Sequence, residues 1–135
     1  MMSRQELLHS EKTEEILSSF YHVYNQLGFG FLEKVYENAL LISLRKKGFQ
    51  IESQKSIEVY FEGEQVGKFY ADLIVDNLVI LEIKAVDQLQ RVHETQLLNY
   101  LRATPIEVGL LLNFGEKPSH RRRIFTNDRK DNFPK

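Results

Sequence analysis

The chain of 135 residues contains no cysteine. That absence excludes disulfides and thiolate zinc sites, and it suits a reducing compartment. It also lacks a charge bias: 18 Lys and Arg against 19 Asp and Glu leave a net charge of −1. There is no global attraction to a polyanion, so nucleic-acid contacts would have to come from local patches. No apolar run approaches the roughly 20 residues of a membrane span. Met1 to Glu15 is polar and mixed in charge, unlike a signal or transit sequence. No internal repeat, linker or low-complexity segment interrupts the chain. A soluble, cytoplasmic protein without membrane partners is the expectation.

What is present is an ordinary globular composition, 42% hydrophobic and 27% charged, enough for one domain over residues 1–135 with a proper core. Ile16, Leu17, Phe20, Val23, Tyr24 and Leu27 form a helical stripe over 12–27, with Ser10 or Thr13 as cap and Gly28 as stop. Leu32, Val35, Tyr36, Ala39, Leu40 and Leu44 mark a second helix over 32–47, ended by a basic cluster and Gly48. Beyond Gly48 the period becomes two, with strands near 57–61, 66–75 and 78–86. A third helix spans 88–103, stopped by Pro105. Val108 to Phe114 reads as a strand covered on both faces. The order ααβββαβ predicts a single α/β domain, a mixed sheet flanked by helices, with its core about 10–125 and a polar tail over 126–135.

Three charges break this pattern. Asp72, Glu82 and Lys84 stand in runs of Val, Ile and Leu that otherwise look buried. Buried charges are costly unless they pair or bind a metal. Two carboxylates and an ammonium on adjacent strands could hold a divalent cation and an attacking water beside a phosphate, which is a nuclease site. With hard oxygen donors and no thiols, Mg²⁺ or Mn²⁺ is favoured over zinc.

The hairpin geometry sets a condition. A two-residue loop at Asp76-Asn77 would oppose Asp72 to Leu81 and send Glu82 to the other face of the sheet. A three-residue loop, Asp76-Asn77-Leu78, opposes Asp72 to Glu82. The odd-length loop, or an equivalent bulge, is therefore predicted, and carboxylates on opposite faces would defeat the active-site reading.

The spacing Asp-x9-Glu-x-Lys across a hairpin resembles the core of the PD-(D/E)xK nuclease superfamily. Gly30-Phe31-Leu32-Glu33-Lys34-Val35-Tyr36 is similar to the Gly-x-x-Glu-x-x-Tyr signature of the GxxExxY family. So are His93 to Leu101 and Gly109 to Gly115, and the likeness runs over roughly 9–125. Ala71 stands where the superfamily label has proline. The resemblance implies a restriction-endonuclease-like fold with Asp72, Glu82 and Lys84 as the catalytic core. It adds Glu33 as a further acidic metal or water ligand, and Gln96 with Tyr100 as the Gln-x-x-x-Tyr pair lining the site. It implies a Mg²⁺-dependent hydrolase acting on nucleic acid, DNA rather than RNA. A homodimer would supply two sites for two strands.

Simpler roles compete. The trio could be a structural salt bridge between strands, and Gln96–Tyr100 a helix-surface pair. His93 reads as structural, Tyr36 as a core aromatic, and Arg121-Arg122-Arg123 as a solvated run. The alternative function is a nuclease-like fold acting as a non-catalytic nucleic-acid- or protein-binding module.

Overall fold

The structure, a computed structural model, describes residue 3 and residues 8–130. The ends of the expected domain, including 131–135 of the polar tail, lie outside the described residues. Helices α1 (Ser10–Leu27) and α2 (Glu33–Lys46) come first, then strands β1 (Ile51–Phe61), β2 (Glu64–Val75) and β3 (Val79–Lys84). Helix α3 (Arg91–Arg102), β4 (Val108–Asn113), β5 (Ser119–Ile124) and a short 3₁₀ turn (Asn127–Arg129) complete it. One five-stranded mixed sheet runs β1-β2-β3-β4-β5, with β3 and β4 parallel and the other neighbours antiparallel. Among the described residues no helix is long and apolar enough to cross a membrane.

The sheet carries a core on each face. Ile16, Phe20, Tyr36 and Leu40 from α1 and α2 pack on Leu73, Val75, Leu81 and Leu110. Leu97, Tyr100 and Leu101 from α3 pack on Ile74, Ile80 and Leu111. Gly109 makes the second contact possible: a Cβ there would lie 2.6 Å from a Leu97 methyl. Asn113, fully buried, accepts from the Val86 N–H at 2.9 Å and donates to the Val86 carbonyl at 2.8 Å. This clamp fixes the chain leaving β3, and Gly115 leaves room for it, since a Cβ would meet Val86 O at 2.1 Å.

Two expectations change. The helix α1 begins without a Ser10 or Thr13 cap; His9, in the left-handed region at φ 54°, occupies the cap position. The Arg121–Arg123 run is not a solvated tail but part of β5, an added strand that makes the order ααβββαββ. Arg122 donates to the Leu8 carbonyl and Arg123 pairs with Glu94. Edge strands commonly carry such charge, which blunts pairing with other chains. Past β5, the buried Lys130 ammonium donates to the Thr104 and Ile106 carbonyls, both at 2.8 Å.

Candidate active site

The β2–β3 hairpin has the three-residue loop, with Asp76 and Asn77 both left-handed at φ 52° and 56°. The register Leu73↔Leu81, Ile74↔Ile80 and Val75↔Val79 brings Asp72 and Glu82 opposite each other at the next position. There the backbone ladder stops and side chains replace it. The Asp72 N–H donates to Glu82 Oε2 at 3.0 Å, and the Ile83 N–H donates to Asp72 Oδ2 at 2.8 Å. Each carboxylate thus satisfies the backbone donor of the facing strand, and the strands diverge around the pair.

A second irregularity fixes the orientation. Ala71 packs in the α3-side core while Leu73, two residues on, packs in the α1/α2-side core. Residues two apart normally share a face, so β2 switches faces at Asp72. Opposite it on β1, Gln54 has φ 54°, a left-handed conformation inside a strand that costs a non-glycine residue roughly 1–2 kcal/mol. The Gln54 amide donates to Asp72 Oδ1 at 3.3 Å and to Glu37 Oε1 at 3.0 Å. Glu37, on α2, is 5% exposed and also pairs with Lys34 at 2.7 Å. Asp72 therefore has groups from both faces of the sheet around it: Glu37 from α2, and Glu82 and Tyr100 toward α3.

The electrostatics follow from this crowding. Burial, then the charge of Asp72, pushes the Glu82 carboxyl from its ordinary 4.5 up to about 8. Burial also raises Asp72, and the Ile83 N–H works against that rise. Glu37 adds to both shifts, and Lys84 opposes both. Burial and then the Glu82 charge raise Tyr100 as well. Carboxyls driven toward protonation by each other and by lost solvent are the groups a cation would ionise.

Lys84 forms no direct ion pair among the described residues, though its charge acts on both Asp72 and Glu82. The α3 pair is joined, with the Gln96 amide donating to the Tyr100 hydroxyl at 2.9 Å, and Tyr100 is buried beside the carboxylates. Glu33 is exposed on the first turn of α2 and has no hydrogen bond among the described residues. One turn further on, Glu37 has the contacts with this site, and the sequence reading overlooked it. Its signal was shared: Glu37 falls between Tyr36 and Leu40 of the apolar stripe as Glu33 falls between Leu32 and Tyr36. Gln54 had no such signal, because nothing in an alternating strand announces a left-handed residue. His93 Nδ1 accepts from the Gln90 N–H at 2.9 Å at the start of α3, a structural role. The Tyr36 hydroxyl donates to Gly28 O at 2.6 Å and accepts from Phe31 N–H at 3.2 Å, so this tyrosine pins the α1–α2 loop. Its ring stacks on Phe114 at 4.4 Å.

A family model described as the PD-(D/E)XK nuclease superfamily matches residues 10–124. The chain belongs to this superfamily. Its fold is also that of the crystal structure of SSO0001, at TM-score 0.55 and 21% identity over 91% of this chain. The chain spans 62% of the length of that protein. No curated protein matches it. The diverging β2–β3 strands carry Asp72, Glu82 and Lys84, and α2 brings Glu37 beside them through the shared Gln54 amide.

Proposed function

We propose that this superfamily member is a divalent-metal-dependent nuclease hydrolysing phosphodiester bonds, with DNA as substrate and Mg²⁺ or Mn²⁺ as cofactor. The observation that carries the reading is the half-buried Asp72 facing the buried Glu82, with Lys84 beside them in no direct ion pair among the described residues. Left without a cation, the two acids repel and lose hydration. The donor set fits a hard cation: two carboxylates are the usual protein share for Mg²⁺, which keeps other positions for water and phosphate oxygens. Among the described residues no group of three or more His, Asp and Glu is placed to hold a metal ion. A cation held by Asp72 and Glu82 would neutralise both, polarise a phosphoryl oxygen and acidify a water.

The remaining chemistry belongs to the chain's own groups. The Lys84 ammonium, in no direct ion pair among the described residues, orients the attacking water or offsets charge developing on the phosphoryl oxygens. Glu37 and Gln54 hold Asp72 in place, Gln54 through the amide shared between the two acids. Tyr100, held by Gln96, offers a hydroxyl on the α3 side for a phosphate or the water. Glu33 lies at the exposed start of α2, one turn from Glu37, where it would meet metal or water only at the rim. The Gly30–Tyr36 stretch and the Asn113–Gly115 clamp support a finer placement in the GxxExxY family; both serve the scaffold around the site. A homodimer would present two such sites to the two strands of a duplex, and a cytoplasmic location suits the cysteine-free composition.

The test is cleavage of labelled DNA and RNA panels by wild type, Asp72→Ala and Lys84→Ala, with Mg²⁺, Mn²⁺ or chelator. Metal-dependent cleavage of DNA lost in both variants is expected. Cleavage surviving both would remove these residues from the mechanism. Absence of cleavage together with no calorimetric Mg²⁺ or Mn²⁺ binding would leave a nucleic-acid- or protein-binding module.

A further inference from the structure

A groove of about 890 Å³ opens between α3 and the β1–β2 hairpin, on the α3 face of the sheet. Gln96 and Tyr100 belong to its lining as well as to the candidate active site, so the two are continuous. Its floor is apolar, including Ile57, Ile74 and Ile106. Its walls carry exposed aromatic rings: Tyr60 is 48% and Phe69 45% exposed. Phe69 lies 5.7 Å, centroid to centroid, from Tyr100, which extends the aromatic surface toward the carboxylates. The rim bears Lys55, which pairs with Glu52 at 2.7 Å, Arg102, whose guanidinium lies over the Phe125 ring, and one acid, Glu58; Asn99 adds hydrogen-bonding groups.

We infer that this groove binds the unpaired bases of a single-stranded segment next to the bond being cut. The inference rests on the nuclease reading and narrows its substrate class. Exposed rings beside cations are how single strands are held without sequence readout, bases stacking on aromatics while phosphates meet the rim. A duplex keeps its bases stacked inward and presents phosphates outward, so it would set charge against an apolar aromatic wall. The hairpin geometry supports the same conclusion. Beyond Ala71 no β3 residue pairs with β2, so the outer part of the hairpin stands clear of the central sheet and leaves the groove open along its length. The surface chemistry recognises bases on either sugar, so DNA and RNA single strands share this prediction.

The test is binding of fluorescein-labelled dT12, rU12 and a 12-base-pair DNA duplex, read by anisotropy in EDTA so that hydrolysis does not intervene. The expected result is that single strands bind at least tenfold more tightly than duplex. Tyr60→Ala and Phe69→Ala should each weaken single-strand binding about tenfold, as loss of one stacking platform does. Thermal melting checks that each variant is folded, and Tyr60→Ala, at an exposed site, keeps the test valid if Phe69→Ala unfolds. The comparison of dT12 with rU12 assigns the sugar. Equal or tighter duplex binding, or single-strand binding unmoved by a folded Tyr60→Ala, would overturn the proposal. So would concentration-dependent dimerisation lost in the same variants without an effect on oligonucleotides, which would give the groove to a second copy. Failure of the nuclease reading is visible separately, as absent cleavage with single-strand binding through Tyr60 and Phe69 retained.

Discussion

Replacing Glu82 with glutamine should make the metal-free protein more stable while abolishing its activity. Glu82 is 4% exposed, and its carboxyl is raised from 4.5 to about 8, chiefly by burial and then by Asp72. Below pH 4.5 both folded and unfolded chains are protonated there, and the group costs nothing. Between 4.5 and 8 the unfolded chain releases a proton that the folded chain retains, so stability falls as pH rises, by about 1.4 kcal/mol per unit. By pH 7 the loss reaches about 3 kcal/mol, and above 8 it levels off. Glutamine keeps an oxygen to accept the Asp72 N–H and never ionises. Urea unfolding of both proteins from pH 4 to 8.5 should give curves that coincide near pH 4 and separate to about 3 kcal/mol at pH 7. In melting temperature that is about 10 °C for a chain of this size. Taking the difference between the proteins cancels titrations uncoupled to Glu82, such as that of His120, whose pKa burial lowers. Saturating Mg²⁺ should raise the wild-type melting temperature and move the variant little, since only the folded wild type offers both carboxylates. A variant no more stable than wild type at pH 8 would refute the claim that the Asp72–Glu82 pair stores unfavourable electrostatic energy.

Lys84→Met should cost roughly 0.5–1 kcal/mol of stability by removing the charge that opposes the raised Asp72 and Glu82 carboxyls, while cleavage falls at least 100-fold; a loss of several kcal/mol would restore the salt-bridge role. Glu37→Gln should lower activity more than Glu33→Ala, as read by initial cleavage rates, because Glu37 shares the Gln54 amide with Asp72 and Glu33 is exposed. The reverse order would place the α2 acid at Glu33. Tyr36→Phe should cost about 1–2 kcal/mol in chemical denaturation by freeing Gly28 O and Phe31 N–H, with little change in cleavage per folded molecule.

The sequence alone determined much of the scaffold, because local periodicity and turn chemistry act over a few residues. The stripe from Ile16 to Leu27 and the apolar run from Val108 specify their elements without reference to the rest of the chain. Asp76 and Asn77 tolerate left-handed φ and so mark the turn; the three-residue length followed from requiring Asp72 and Glu82 on one face, and the register has it. β5 escaped because a strand of Ser, His and three arginines has no apolar alternation; its place follows from the open edge of β4.

Tertiary structure decided which groups meet. Glu33 and Glu37 are one turn apart on the same face of α2, so helical phase cannot separate them. The seating of α2 on the sheet does, burying one and leaving the other in water. The face switch at Asp72 and the left-handed Gln54 opposite it also arise only when β1, β2 and β3 are assembled. They occur where carboxylates replace backbone partners and the strands are forced apart. A sequence can show that Asp72, Glu82 and Lys84 are out of place in a core. What surrounds them depends on packing between segments distant in the chain, which local residue preferences do not encode.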